Sequence, residues 1–369
     1  MLMLKKTIAA LSLLSILAAC QNDENPSQPE PKPRQDINLT RAEQEFMDKG
    51  TDFAFRFFDQ VCSTEKEKPN VFVSPLSASL CLSMITNGAT DNTLAEMQDV
   101  LGFPANTFSL DDLNNYNQKL TSALLDLDNT TQLGIANSIW IEEGFKVYDS
   151  FVDVNKKMYD AQVQELDFTS PTAKDMINQW CATQTNNCIK EVIQEIPADV
   201  RMYLINALYF KGIWKSQFDK SATGQDNFTN VDGSQQKVAM MNQTATFNYT
   251  QTDDFSIAEL PYGNEAFSMV ILLPSGDKTL DESLPSLNYE NWKQWSKNMV
   301  GKELQIKLPR FKVEYDKELE EDMIAMGMKD AFDAYKAKFA NMSGAELYIG
   351  LLQQFTYINV DEEGTEAAA

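Results

Sequence analysis

The stretch Asp361-Glu-Glu-Gly-Thr-Glu-Ala-Ala-Ala369 follows directly on a strand-like run, Phe355-Thr-Tyr-Ile-Asn-Val360. Aromatic and β-branched residues favour a strand in that run. Gly364 predicts a hinge after it, because glycine adopts almost any φ at low cost. Side chains alternate between the faces of a strand, so one face of the last residues would be small. That face would carry Thr365, Ala367 and Ala369, with Glu366 pointing the other way, toward solvent. The pattern indicates a second strand that can enter a sheet after the rest has folded.

Composition sets broad limits on what this chain does. Its 369 residues are 43% hydrophobic, which is enough for a packed core in one large domain or two medium ones. A net charge of −23 disfavours contact with nucleic acid or anionic lipid. The chain has no histidine, which removes Ser-His-Asp and Cys-His catalysis and most zinc sites. We therefore predict a non-enzyme without metal or cofactor, and keep a carboxylate-based enzyme as the alternative.

The N-terminus has the layout of an export signal. Lys5-Lys6 precedes a short apolar run, Ile8–Leu17, which is too short to span a bilayer. Leu17-Ala-Ala-Cys20 resembles a bacterial lipoprotein cleavage box, so residues 1–19 would be removed and Cys20 would carry the lipid. A plain secretory peptide is the alternative. We expect an exported protein, lipid-anchored to the bacterial outer membrane, and Asp23-Glu24 resembles a surface-export signal.

Residues 20–39 are rich in proline and lack an apolar cluster, which predicts a flexible tether. Four cysteines follow the tether. Cys62 and Cys81 lie in apolar helical patterns and are expected to be free and buried. Cys181 and Cys188 would be too far apart to bridge on one continuous helix, but a break between them would bring them closer, so their pairing stays open.

From residue 40 onward the chain predicts one α+β domain, 40–369. Thr40-Arg-Ala-Glu43 is a capping box at the start of an amphipathic helix. Ser74-Pro75 is an N-cap followed by proline at the first helical position. Helices are predicted over 41–61, 75–87, 92–101, 149–159, 173–183 and 318–326, and strands over 133–141, 202–210, 237–249, 255–260, 267–273, 303–313 and 353–362. The strand 202–210 is nearly continuous in apolar residues, which predicts burial on both faces.

Several separated segments resemble the serpin family, in the family's order. They are Asn70–Ser79 (helix B entry), Asn206–Trp214 (sheet A strand and breach), Leu260–Gly263 with Met269–Pro274 (sheet B hairpin), Leu308–Phe311, Met326–Phe332, and Val360–Ala369 (reactive-loop hinge). The resemblance implies a serpin fold of about eight to nine helices around three β-sheets, with a large central sheet A. It also implies that the pattern continues past Ala369, into the scissile bond and the last strands of sheets B and C. We therefore expect the sequence as written to be C-terminally truncated, and unstable or inactive.

The resemblance implies a monomeric inhibitor of a serine-type endopeptidase, with cysteine proteases as a further target class. A serpin's exposed loop is cleaved, inserts into sheet A and traps the acyl-enzyme. The hinge would comprise Glu362, Glu363, Gly364, Thr365, Glu366, Ala367, Ala368 and Ala369. Its small residues favour fast insertion, hence inhibition. A non-inhibitory serpin acting as a binding or structural module is the alternative, and the sequence does not identify the target protease.

Two polar sites follow from the same resemblance. The shutter, a hydrogen-bond cluster under the point where sheet A parts, would comprise Ser74, Ser77, Asn206 and Gln354. The family usually places a histidine there; glutamine can complete the network while staying neutral at every pH. The breach, at the top of sheet A, would comprise Trp214 and an ion pair of Arg310 with Glu362, expected to tune the rate at which the sheet opens more than stability.

Overall fold

A computed structural model describes residues 32–104, 106–230 and 232–369. The predicted signal peptide, the lipidation site Cys20 and most of the tether lie outside the described residues. Within those three ranges, no helix is long and apolar enough to cross a lipid bilayer.

Nine α-helices and three short 3-10 helices lie in the described part of the chain. Local capping explains where several of them begin. Thr40 and Glu43 form the predicted box at the start of α1, and Ser109 with Asp112 forms a second one at α4. The α-helices are α1 Arg41–Thr64, α2 Pro75–Thr86, α3 Asp91–Leu101, α4 Leu110–Asp126, α5 Asp149–Tyr159, α6 Ala173–Gln184, α7 Leu280–Ser283, α8 Tyr289–Lys297 and α9 Glu320–Met326.

Eleven strands among the described residues form two sheets, so the class is α+β as predicted. The strands are β1 Gln132–Glu142, β2 Gln162–Leu166, β3 Met202–Ile213, β4 Gly224–Thr229, β5 Gln235–Gln251, β6 Phe255–Pro261, β7 Ser268–Pro274, β8 Val300–Pro309, β9 Phe311–Glu318, β10 Gln353–Val360 and β11 Gly364–Ala368. The large sheet, which we call sheet A, has the order β2-β1-β3-β11-β10-β9.

The second sheet replaces the two further sheets that the sequence led us to expect. It has the order β4-β5-β6-β7, and β8 also pairs with β5. Strand β5 is 17 residues long, and its successive segments pair with β4, β8 and β6. Because β5 pairs with all three of these strands, the two sheets expected from the sequence form a single sheet.

The C-terminal segment β11 is a central strand of sheet A. It pairs antiparallel with β3, where Gly364 lies opposite Ile213 and Ala368 opposite Tyr209. On its other side it pairs antiparallel with β10. The strand, hinge and second strand predicted from the sequence are therefore all present, and the second strand lies between two strands that are distant in the chain.

Several predicted elements differ from the observed ones. The single strand predicted over 303–313 is two strands, β8 and β9, which separate at Arg310 and enter different sheets. Helices α4, α7 and α8 and the short strands β2 and β4 were not predicted. Most residues of β3 are only partly buried, because α2 packs on one face of the strand and α6 covers only part of the other.

Candidate functional site

The turn before β11 is organised by an aspartate. The Asp361 carboxylate accepts hydrogen bonds from the backbone N–H groups of Glu363 at 2.8 Å and Gly364 at 3.2 Å. The Asp361 N–H in turn donates to the Gly364 carbonyl at 3.0 Å. An aspartate that bonds to its own backbone two residues on is a common way to fix a turn. The reversal of the chain is therefore fixed by Asp361.

Gly364 is needed for a different reason from the one predicted. Its φ lies outside the left-handed region, so the turn does not require glycine. A Cβ atom at this position would lie 2.0 Å from the Gly212 carbonyl oxygen on β3. Glycine is required because two backbones approach closely, which is the other common use of this residue in a strand.

One face of β11 packs into the apolar cluster around Trp214. Thr365 is buried there and accepts a hydrogen bond from the Tyr262 hydroxyl at 2.7 Å. Ala367 packs against the same cluster. Both side chains are small enough to fit between the two sheets, as their position on one face of the strand predicts.

The opposite face of β11 carries Glu366. The sequence predicts that this side chain points into solvent, but in the structure it contacts polar partners. Its carboxylate accepts a hydrogen bond from the Tyr209 hydroxyl at 2.6 Å and one from the Asn186 side-chain amide at 3.4 Å. The Lys211 ammonium lies 3.9 Å away, and the Glu366 side chain is only 23% exposed. Burial, followed by the hydrogen bond to Glu366, raises the pKa of Tyr209, so this hydroxyl stays a donor. Sequence reasoning missed Tyr209 and Asn186.

Trp214 sits directly at the turn. Its indole N–H donates to the Asp361 carbonyl at 2.8 Å, and its backbone N–H donates to the Glu363 carbonyl at 2.9 Å. Its ring stacks on Tyr262 with centroids 4.5 Å apart. A buried tryptophan with a satisfied N–H is a rigid support. Trp214 and Tyr262 together therefore hold both the turn and the first residues of β11.

The predicted breach ion pair is asymmetric. The Arg310 guanidinium lies 3.5 Å from the Glu362 carboxylate, and the arginine side chain is 52% exposed whereas the glutamate is 4% exposed. The other Glu362 oxygen accepts a hydrogen bond from the Thr223 hydroxyl at 2.8 Å. The glutamate is thus fixed by a partly buried hydroxyl as well as by the half-exposed arginine.

Three of the predicted shutter residues lie together at the start of α2. The Gln354 amide accepts from the Ser74 backbone N–H at 2.8 Å and donates to the Ser74 carbonyl at 3.0 Å. The Ser74 hydroxyl caps the helix by accepting from the Ser77 N–H at 3.3 Å. Gln354 is 6% exposed and uses both ends of its amide, as expected of a neutral group that completes a network.

Asn206 makes its hydrogen bond elsewhere. Its side-chain amide donates to Asn137 on β1 at 2.8 Å, and Asn137 donates to the Tyr159 carbonyl at 2.7 Å. The structure therefore places Asn206 in a network that runs from β3 through β1 to α5. No sequence signal singles out Asn137 as its partner.

The cysteines and acidic residues offer no further chemistry at this site. Cys62, Cys81, Cys181 and Cys188 are free thiols, so the open pair is unbridged. Burial raises the pKa of Cys181 to about 12 and, with the Glu366 charge, that of Cys188 to about 11, which leaves both protonated. Within the described ranges, no three His, Cys, Asp or Glu residues cluster as a metal site.

The described residues thus form a large mixed sheet whose central strand, β11, lies between β3 and β10. A profile of the serpin family (serine protease inhibitor) matches residues 48–369. The chain belongs to the serpin family, most of whose members are protease inhibitors and not catalysts.

Relatives and solved structures agree with this membership. The chain is 36% identical to serpin B6 of Macaca fascicularis over 81% of this chain and 82% of that protein. It is 34% identical to a leukocyte elastase inhibitor of Xenopus tropicalis, over 86% of each. The solved structure of a thermophilic serpin, tengpin, in the latent state has a TM-score of 0.81 at 32% identity, covering 90% of this chain and 89% of tengpin.

Proposed function

We propose that this protein inhibits a protease by cleavage of its reactive loop, insertion of that loop into sheet A and trapping of the acyl-enzyme. The observation that carries the proposal is β11. Residues 364–368 form a central strand of sheet A between β3 and β10, with small side chains on the face toward the Trp214 cluster. Members that fail to inhibit tend to have bulky or charged residues at this position, and this hinge has none on that face.

The names of relatives support the same activity. One relative is named a leukocyte elastase inhibitor, an inhibitor of a protease. Serine proteases are accordingly the first target class for this chain, and cysteine proteases the second. The inhibitor would act as a monomer without a cofactor.

Strand β7 is an edge strand of its sheet with five consecutive apolar residues, Met269 to Leu273, none of them fully buried. Exposed edges are usually protected by charges, proline, a bulge or a covering segment. This edge is therefore a place where a further strand would pair, and the full-length gene product is the material for inhibition assays.

The test is a panel of serine and cysteine proteases incubated with the full-length gene product. We expect a complex that survives denaturing electrophoresis with at least one protease, and a matching loss of protease activity. Clean cleavage without such a complex across the panel would contradict inhibition and favour the non-inhibitory alternative. Turnover of a substrate by the purified protein would instead support an enzyme.

The proposed location is the bacterial outer membrane, with Cys20 lipidated and the inhibitor on the cell surface. The chain should then partition with membranes, and Cys20→Ser should release it into the soluble fraction. A protein that stays in the membrane fraction after this substitution would contradict the anchor. Protease added to intact cells would digest the protein if it lies on the cell surface and would leave it intact if its anchor faces inward.

A further inference from the structure

The segment 32–40 ahead of α1 lies outside the part of the chain that matches the family. It has no helix or strand, yet its first described residue is held at three points. The Lys32 N–H donates to the Asn129 side-chain oxygen at 2.8 Å, and the Lys32 carbonyl accepts from the Asn264 side-chain amide at 3.1 Å. The Lys32 ammonium also pairs with Asp126 at 2.6 Å. We call residues 32–40 the strap.

The strap docks where two turns meet. Asp128, in the turn after α4, is 4% exposed and accepts hydrogen bonds from Thr130 and Thr131 and from the Asn264 backbone N–H. Asn264 also donates to the Leu127 carbonyl at 2.8 Å, through the same amide nitrogen that binds the strap. The two turns are therefore one unit, and the strap adds a third chain segment to it.

The second turn is in contact with the insertion site. A Cβ on Gly263 would lie 2.3 Å from the Asp128 carboxylate, so the turns are packed with no spare room. The Gly263 N–H donates to the Ile213 carbonyl at 3.0 Å, next to Trp214. The preceding residue, Tyr262, stacks on Trp214 and donates to Thr365. Only Gly263 thus separates Asn264, the partner of the strap, from Tyr262, whose side chain bonds to β11.

We propose that the strap regulates sheet A, because its docking on the joined turns fixes Tyr262 and thereby stabilises the first residues of β11. Residues 32–39 of the strap are the last part of the predicted tether, so the position of the rest of the tether would be transmitted to the insertion site. The physical route is contiguous: strap to Asn264, then the turn, then Tyr262, then Thr365. The regulatory role rests on the proposed loop insertion, but the coupling itself is measurable without a protease that the protein inhibits.

The test compares Lys32→Pro with wild type, both in the loop-cleaved form in which residues 364–368 lie in sheet A. This substitution removes both the backbone N–H donor and the ammonium of residue 32. Thermolysin, a zinc protease outside the proposed target classes, reports strap release by cutting before Ile37 or Leu39. Amide hydrogen exchange at Gly263 and Thr365 reports the insertion site. We expect faster cutting, and exchange at both amides about three- to tenfold faster, the loss typical of one or two hydrogen bonds.

Arg34→Gln is the matched control, because it removes one positive charge from the strap but only breaks the exposed pair of Arg34 with Asp36. It should change neither cutting nor exchange. Faster cutting of Lys32→Pro with unchanged exchange would overturn the coupling. Unchanged cutting would overturn the docking role of Lys32, and equal effects from the control would overturn its specificity. None of these outcomes bears on whether the protein forms a protease complex, so the two proposals fail separately.

Discussion

The breach and the shutter hold sheet A in different ways. At the breach, the contacts reach β11 and the turn before it: Trp214 bonds to the turn, and Tyr262 bonds to Thr365. At the shutter, Gln354 bonds only to the Ser74 backbone, which belongs to α2 and not to β11. Sheet A is therefore stabilised near Trp214 by contacts with β11. Near Gln354 it is stabilised by contacts with α2.

This difference separates two physical requirements. The breach depends on steric fit, because β11 and β3 approach too closely for any side chain at Gly364. The shutter depends on hydrogen bonding by a buried neutral amide. Changes at the breach should act on β11, and changes at the shutter should act on the contact between β10 and α2. Each prediction below tests one side of this contrast, and the stability measurements refer to the loop-cleaved protein, in which residues 364–368 lie in sheet A.

The largest effect is expected at the point of closest backbone approach. Gly364→Ala places a Cβ 2.0 Å from the Gly212 oxygen, so β11 must shift or leave the sheet. We expect a loss of about 3 kcal/mol in the free energy of unfolding, at the upper end for overpacking, measured by denaturant titration. Gly134→Ala on β1 of the same sheet is the control, because its Cβ would meet Tyr209 at an ordinary 3.8 Å. Equal losses in both variants would show that the close contact is unimportant.

The second largest loss of stability is expected from substitution of Gln354, whose amide lies at the shutter. Gln354→Ala leaves the partly buried Ser74 N–H without its partner and removes one of the two hydrogen bonds that the Ser74 carbonyl accepts, the other coming from Ala78. The loss should cost about 2 kcal/mol in the free energy of unfolding. Gln353→Ala is the neighbouring control on the same strand, with a partly buried side chain. A loss from Gln354→Ala no greater than that of the control would mean that the Ser74 contact does not stabilise the seam.

A pH-dependent variant sharpens the same point. The wild-type chain has no histidine, so its shutter has no group that titrates near pH 6.5. In Gln354→His, burial disfavours the imidazolium, so the folded pKa lies below the unfolded value. Stability is then fully present above about pH 6.5 and falls as the pH drops, by about 1.4 kcal/mol for each unit of pKa difference. Denaturant titrations at pH 7.5 and 5.5 test this prediction. A difference in the free energy of unfolding between variant and wild type that is the same at both pH values would contradict it.

The polar face of β11 should contribute less to the free energy of unfolding than the shutter does. Tyr209→Phe removes the hydroxyl that donates to Glu366 and should lower the free energy of unfolding by about 1 kcal/mol. Tyr203→Phe on the same strand is the control, since that side chain packs against Phe168. Thermal unfolding of both variants measures the difference. Indistinguishable melting temperatures would show that Glu366 gains nothing from Tyr209.

The smallest effect is expected from the breach ion pair. Arg310 is half-exposed and 3.5 Å from Glu362, so Arg310→Ala should lower the free energy of unfolding by only about 0.5 kcal/mol. The loss should shrink further in 1 M salt, where exposed charges are screened. Lys312→Ala, which breaks an exposed pair with Glu314, is the matched control. A loss above 2 kcal/mol would place Arg310 among the main supports of the turn.

Much of the fold could be predicted because its signals are local. The capping box at Thr40, the N-cap at Ser74 and the alternation in β1 each depend on a few consecutive residues. The strand, hinge and strand at the C-terminus are local in the same way. Helix α4 was missed because its sequence is mostly polar, although Ser109 and Asp112 form a capping box that could have identified it.

The site could be predicted only where a family pattern supplied the partner. The Tyr209–Glu366 bond joins residues 157 apart in the chain, and nothing in either segment indicates the other. Gly364 was singled out, but for its backbone freedom, because the approach of β3 appears only in the folded sheet. The same holds for Asn137, whose partner Asn206 is 69 residues away.

The most direct test of loop insertion measures how the full-length gene product divides between trapped complex and cleaved product when it meets its target protease. Wild type should give mainly the complex that survives denaturing electrophoresis. Gly364→Ala should shift the products toward simple cleavage, because β11 can no longer seat against Gly212, while Gly134→Ala should behave as wild type. Equal complex formation by wild type and Gly364→Ala would contradict the claim that entry of this strand into sheet A is what inhibits the protease.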